Sequence, residues 1–463
     1  MNKRSFIAEA IAYTLTILIV FSVILSHGTI TGARICLAVF ALAAGLAALF
    51  FLNRNKSSCT PKDFLDKKIF NLTIADIIGF LGITVIAVLV RVFFFPFVSA
   101  DVAIFQENWY ETAKSAGFAS LGMGISDYPP LYTTIFCLLC QTPLSMLFVT
   151  KFIPIVFDFV LAVVSVLTYC ELDSNSNIFK KLVVYGVILL NPIVILNASA
   201  WGQCDTIYAS FIVLFLYMLL KIARSNSVSG DLAFVVLGIA FACKFQTILI
   251  IPAVLLLWVL QSQKIVRIAY FIWIPVMYFA SCIPMFLSHR TIGDLLGIYI
   301  YQTGQYDSFL SLNYPNFYSF FGNVITDMSE GLGKYGMLMG LVVILSLYLW
   351  LFKNKTDVTA SFIVKICMIT VFVLTFFLPS MHERYAIVAE ILIMILACMD
   401  VSYIPAAVLT VLCTSINYAD FLLYYYDIKV PEDWLVALIR LIVIIFVIWK
   451  LISDSSNKET DCK

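Results

Sequence analysis

What most constrains this chain is its succession of long apolar runs, separated by short polar connections. A membrane-spanning helix needs roughly 20 mostly apolar residues, and runs such as 74–97, 205–223, 268–287, 335–352 and 402–424 meet that need. The 463 residues are 62% hydrophobic and only 12% charged, where soluble domains average about 25% charged. The pattern predicts an all-α fold, a polytopic transmembrane helical bundle. It should have about 12–14 spans, some short or re-entrant, and external loops carrying short helices. The surroundings implied are a lipid bilayer, and a net charge of +1 argues against nucleic acid as a partner. Most of the 12 cysteines sit inside apolar runs without metal-ligand spacing and read as small buried hydrophobes. No metal and no cofactor is expected. The opening "MNKR" before an apolar run resembles a signal peptide, but no small-residue cleavage site follows. A retained first helix is therefore expected.

Lys and Arg gather at Lys3/Arg4, between Arg54 and Lys68, and at Lys221/Arg224, Lys264/Arg267, Lys353/Lys355 and Lys450. Cytoplasmic loops carry such an excess, so these connections and both termini are placed inside an integral plasma-membrane protein. The loops 98–130, 288–334 and 379–384, with "WGQCD" at Trp201–Asp205, then fall outside. The expected organisation is a transmembrane hairpin with a cytoplasmic loop over 1–70 and a catalytic-type transmembrane module over 71–287. A C-terminal module over 288–452 and a disordered tail over 453–463 follow. Three apolar segments separate the 98–130 loop from Trp201, whereas a return to the same face needs an even number of crossings. The short run 131–146 is therefore expected to re-enter or fail to span, and the hairpin 231–262 is likewise built of short halves. Such breaks are tolerated where they line a cavity inside the protein, so an internal site is predicted.

Ionisable groups at membrane depth are costly and are functional candidates by default. In "FVSADVAIFQENWYETA", Asp101 is the first charge after a span ending at Pro96, either a cap or a reactive carboxylate. Glu107 and Glu111 share one helical face, as on a wet surface. In "SDYPPLY" the prolines suit a helix start, with Asp127 aimed at its positive end; the aromatic pair Tyr128 and Tyr132 exceeds what a helix start needs. "NPIVILNASAWGQCDTIY" closes one run and opens another at Asp205. Lys244, in "FACKFQ", lies between two short halves whose other ends are cytoplasmic, so it either snorkels outward or meets an anion.

The stretch "SHRTIGDLLGIYIYQTGQYDSFLSLNYPNFYSFFG" supplies His289, Arg290, Gln305, Tyr306, Asn313 and Asn316. Rings stack on sugar faces and amides pair with hydroxyls, unless these residues form an interfacial aromatic belt. "LPSMHERYAIV" puts His382, Glu383 and Arg384 in one turn; arginine and protonated histidine suit phosphate, and the zinc spacing HExxH is absent. External carboxylates beside cations and aromatic rings, above a helix bundle, match the needs of glycosyl transfer from a lipid-phosphate sugar. A carboxylate deprotonates the acceptor hydroxyl, preorganised cations take the departing phosphate, and the membrane holds the polyprenyl tail.

In order, the early Asp101, "DYPPLY", "NPIVILNASAWGQCD", "CKFQ", "GQYDSFLSLNYPNFY" and "MHERY" resemble the GT-C membrane glycosyltransferases. They come nearest to bacterial proteins related to GPI mannosyltransferase II, and "DYPPL" is also similar to dolichyl-phosphate-glucose-dependent glucosyltransferases. The resemblance runs from about Arg91 to Tyr385. It implies an inverting transferase that moves one hexose, mannose-like, from a polyprenyl-phosphate donor to a hydroxyl of a glycan, wall polymer or protein, on the extracytoplasmic face. Asp101 matches the family's general base. Asp127, Tyr128, Trp201, Gln203 and Asp205 match pocket positions, to which the residues themselves add Gln305, Tyr306, Asn313 and Asn316. Lys244 matches a "KPQ" position in which Phe245 here replaces the proline. With Arg290, His382 and Arg384, Lys244 is assigned to the donor phosphate, and Glu107 and Glu383 are supporting acids. Asp127 is expected to orient the acceptor, because an inverting displacement needs one base. Two other functions fit the same residues, a polysaccharide polymerase and a lipid-linked-sugar flippase or transporter.

Overall fold

The computed structural model describes residues 68–69, 72–225, 227–261, 265–304, 309–322, 330–423 and 429–460. The expected N-terminal hairpin and its terminus lie outside the described residues, as do Gln305 and Tyr306. What is described is almost wholly helical. Eight helices are long and apolar enough to cross a membrane, and a ninth crossing is made if the bent pair Ile178–Leu189 and Pro192–Trp201, 48° apart, counts as one. The chain is a multi-pass helical membrane protein.

Helix α1 (Ile74–Phe94) starts from a reciprocal cap. The Thr73 hydroxyl accepts from the Asp76 N–H at 3.2 Å, and the Asp76 carboxylate accepts from the Thr73 N–H at 3.1 Å. A loop carrying α2 (Glu107–Ala116) leads to α3 (Pro130–Cys140), which opens on a proline in its first turn. Eleven residues rise only ~16 Å, about half of a hydrocarbon core, so α3 does not cross. That closes the crossing count. Helix α4 (Met146–Leu172) leaves this end, and α5 (Ile178–Leu189) returns through the bend at Asn191–Pro192, ending at Trp201 beside the 98–130 loop.

Helix α6 (Asp205–Ser225) descends and α7 (Gly230–Cys243) climbs back beside it. The chain breaks at Lys244, which is extended at φ −158° and ψ 136°, and turns back through Phe245–Leu260, whose last part is α8 (Ile251–Leu260). Phe234 meets Tyr270 and Phe271, and Phe241 meets Tyr278. Helix α7 therefore runs parallel to the span that ends in α9 (Trp273–Leu287), and Leu260 has returned to the level where α7 began. The stretch 230–260 is a re-entrant hairpin with Lys244 at its tip, made of the short halves expected.

After α10 (Ile292–Gly304) and the 309–322 loop come α11 (Glu330–Lys353), α12 (Ala360–Phe377), α13 (Ile387–Met399), α14 (Ile404–Leu422) and α15 (Asp433–Thr460). Nearly every side chain of α12 and α13 is buried, so the 13-residue α13 is sheathed by protein rather than lipid. Of the tail expected to be disordered over 453–463, the part through Thr460 forms the last turns of α15, and 461–463 lie outside the described residues. Its hold is the ion pair of Lys365 with Asp454 at 2.6 Å, together with the Ser455 hydroxyl donating to Leu451 O at 2.9 Å.

One buried ion pair ties the first helices together. Arg91 Nε meets Asp158 Oδ2 at 2.8 Å, and its other nitrogens donate to Ala87 O at 3.1 Å and Leu189 O at 3.0 Å. The residue thus joins α1, α4 and α5 at a point where neither charged partner is more than 2% exposed. Removing one partner strands the other charge. Arg91→Met should lower stability by about 3–5 kcal/mol, and the double change Arg91→Met/Asp158→Leu should recover most of it. Thermal unfolding in detergent checks this, and an Arg91→Met protein as stable as the parent would refute it.

Candidate functional site

The functional candidates meet at one end of the bundle because two backbone segments there are bonded side to side. The first follows α1 and carries Asp101 just before a π-helical turn, Val102–Gln106. The second is a π-helical turn, Leu196–Trp201, closed by Gly202 in the left-handed region at φ 79°. A Cβ on Gly202 would come within 2.9 Å of Val102 and 3.0 Å of Thr150, so glycine is required there both for conformation and for space. Ser99 Oγ donates to Trp201 O at 2.7 Å, and Gln106 Nε2 donates to Gly202 O at 3.0 Å. In the reverse direction Trp201 Nε1 and Gln203 Nε2 both donate to Asp101 Oδ2, at 2.8 and 2.5 Å. Below them Lys151 of α4, fully buried, points its ammonium at the carbonyls of Phe95, Phe97, Ser199 and Ala200, at 2.6–3.2 Å. One side chain thereby fixes both segments.

A second layer is ionic. Asp205 opens α6, buried, with its carboxylate held by Asn197 Nδ2 at 2.9 Å. It forms an ion pair with Lys244 at the hairpin tip and a longer one with Arg384 Nε, at 3.6 Å. Arg384 is also paired with its neighbour Glu383, and its guanidinium lies 5.1 Å from the centre of the Trp201 ring. That ring stacks on Phe421 at 4.4 Å and meets Tyr418 edge-on at 5.0 Å. Lys244 lies 5.5 Å from the Tyr128 ring, and the Tyr128 hydroxyl donates to Gln203 Oε1 at 2.7 Å. Tyr128, Gln203 and Asp101 therefore form one hydrogen-bonded line from the "SDYPPLY" stretch to the first loop.

Asp127 stands in the same electrostatic neighbourhood. Burial pushes its carboxyl above the usual carboxylate range, against the pull of Lys244 and Arg384, and the charge of Asp101 adds to the rise. His382 is shifted the other way, because burial first and then the Arg384 charge disfavour its protonated form.

The structure thus brings together Asp101, Asp127, Tyr128, Trp201, Gln203, Asp205, Lys244, His382, Glu383 and Arg384. Others lie apart. Glu107 is exposed at the start of α2. Arg290 packs on Gly124 and Met285, with no contact to the Asp205 cluster among the described residues. Asn313 meets the cluster only through its backbone, which bridges His382; the residue is exposed and left-handed at φ 53°. Asn316 is buried and spent on backbone, its Oδ1 accepting from Tyr318 N at 3.0 Å and its Nδ2 donating to Leu310 O. Ser99, Gln106, Lys151, Asn197, Tyr418 and Phe421 were not singled out from the sequence. For Lys151 the signal was present, a lone lysine within the 149–170 run.

These features define a multi-pass membrane protein with a buried, charge-lined site at one end of its bundle. The chain matches no protein-family model and no curated protein.

Asp127 yields a pH test. Its carboxyl is raised in the fold, so it stabilises the protein below the ordinary carboxylate range and loses that contribution as pH rises through the raised value. Asp127→Asn should flatten the stability profile across mildly acidic pH without lowering stability at neutral pH. Thermal unfolding measured against pH reads this out, and an unchanged profile would count against it.

Proposed function

We propose that the chain is an inverting glycosyltransferase that moves a single sugar, a mannose-like hexose, from a polyprenyl-phosphate donor to an acceptor hydroxyl. The reading is supported above all by Asp101. One of its carboxylate oxygens is held by two N–H donors, which fixes its direction, and the Arg384 guanidinium stands in its electrostatic neighbourhood. A carboxylate held this way suits a general base. It would take the acceptor's proton while that oxygen attacks the anomeric carbon from the face opposite the phosphate. The bond from carbon to phosphate oxygen breaks, polyprenyl phosphate leaves, and the configuration inverts.

Arg384 and Lys244 are the groups suited to the phosphate. Arg384 Nε makes no hydrogen bond among the described residues and lies 3.6 Å from Asp205 Oδ2. Trp201, Tyr128 and Asp127 would form the walls against sugar and acceptor. The extracytoplasmic placement is supported by charge: Lys180, Lys181, Lys221, Arg224, Lys353 and Lys450 all lie at the bundle end opposite Asp101, as cytoplasmic loops would. The acceptor class is a glycan, wall polymer or protein hydroxyl.

Removal of a general base slows reactions by roughly 10²–10⁴-fold. Asp101→Asn should therefore reduce transfer from a polyprenyl-phosphate hexose by at least about 100-fold, with folding and insertion retained. Near-normal transfer by the variant would sink the assignment.

A further inference from the structure

The loop 309–322 and the turn that carries His382–Arg384 are built as one unit. Ser311–Leu312 pairs in parallel with Met381–His382, and Asn313 bridges His382. Ser380 Oγ donates to Phe309 O at 2.9 Å, and Tyr318 OH donates to Phe377 O at 2.8 Å. Pairing of two residues is marginal alone, so the unit needs an anchor in the bundle.

Tyr314 provides the connection. Only 1% exposed, it drops from the loop between helices, and its hydroxyl lies 3.2 Å from Thr375 Oγ1. Its ring sits 4.0 Å from the guanidinium carbon of Arg440 on α15. Arg440 is itself buried, with Nη2 donating to Thr414 Oγ1 at 3.2 Å and to the Asn417 side-chain oxygen at 2.7 Å. Thr414 in turn donates to Glu390 of α13. Arg440 Nε has no hydrogen-bond partner among the described residues. A buried cation so placed depends on the electron-rich ring face laid against it, and the ring depends equally on the cation. No contact among the described residues joins Arg440 to Asp101, Asp205 or Lys244.

We propose that Arg440 is a positioning residue. Through Tyr314 it holds the 309–322 loop and the His382–Arg384 turn as a single rigid wall of the site. Its consequence for transfer rests on the proposed function; its consequence for the loop does not.

Hydrogen–deuterium exchange on the full-length protein in nanodiscs tests the loop directly. In Arg440→Met, amides of 309–322 and 379–384 should exchange about tenfold faster together, while those of 201–205 hold their rate. Tyr314→Leu should reproduce the effect, and Tyr314→Phe, which keeps the ring, should not. Unchanged loop exchange in Arg440→Met overturns the proposal, as does equal acceleration throughout α12–α15. In transfer assays, Arg440→Met should raise the donor KM about tenfold with kcat within about twofold. A loosened loop with an unchanged donor KM overturns the positioning role. A parent protein that transfers no sugar overturns the proposed function instead, and the exchange data still decide this proposal.

Discussion

The site depends first on the ammonium of Lys151. It lies in the core of a helix bundle without a carboxylate contact among the described residues, and four backbone carbonyls replace its water. A bare charge in such surroundings is prohibitive, and so are four carbonyls with no donor. Each requirement answers the other. The carbonyls come from two segments about a hundred residues apart in sequence, so satisfying one lysine brings Phe95–Phe97 and Ser199–Ala200 to the same point. The neighbouring bonds of Ser99, Gln106, Trp201 and Gln203 join the same two segments. The hydrogen-bonded geometry at Asp101 thus lies between two segments tied together by a charge that touches no site residue's side chain.

Above this clamp the charges are divided rather than pooled. Asp205 and Glu383 offset Lys244 and Arg384, giving a neutral quartet. Asp101 and Asp127 stand outside it and are treated differently by their surroundings. Asp101 accepts two N–H bonds, whereas burial raises the Asp127 carboxyl. Two carboxyl groups held so differently are not interchangeable; in the proposed transfer that difference fits one base and one orienting group.

Much of this was legible in the sequence because a polar residue at the edge of an apolar run stands out. Asp101, Asp205, Lys244 and the His382–Arg384 turn each interrupt such a run, and the odd number of segments before Trp201 already required one to fall short, as α3 does. What was missed lies mid-run. Arg91, Lys151, Asp158, Glu390 and Arg440 carry charge inside spans, but their partners are carbonyls or residues far away in sequence, which spacing alone does not pair. The two amides are ambiguous in another way. Asn313 and Asn316 sit among aromatic residues like sugar ligands, yet one occupies a left-handed position and the other caps a turn, and short amide side chains serve such backbone roles as readily as they bind hydroxyls.

The location of the site follows from where helices fail. An unbroken helix consumes its own N–H and carbonyl groups and offers a pocket only its side chains. Here most walls lie at an interruption: the π-helical turns Val102–Gln106 and Leu196–Trp201, the proline-led start of α3, the extended Lys244, and the left-handed Ser380 before the His382–Arg384 turn. Each break frees backbone groups that lipid could not satisfy, so each must face protein or a polar cavity. Gathered at one end, they leave the rest of the bundle apolar enough to span the membrane. The same physical demand that keeps irregular backbone away from lipid therefore concentrates it, with its charges, into a single site.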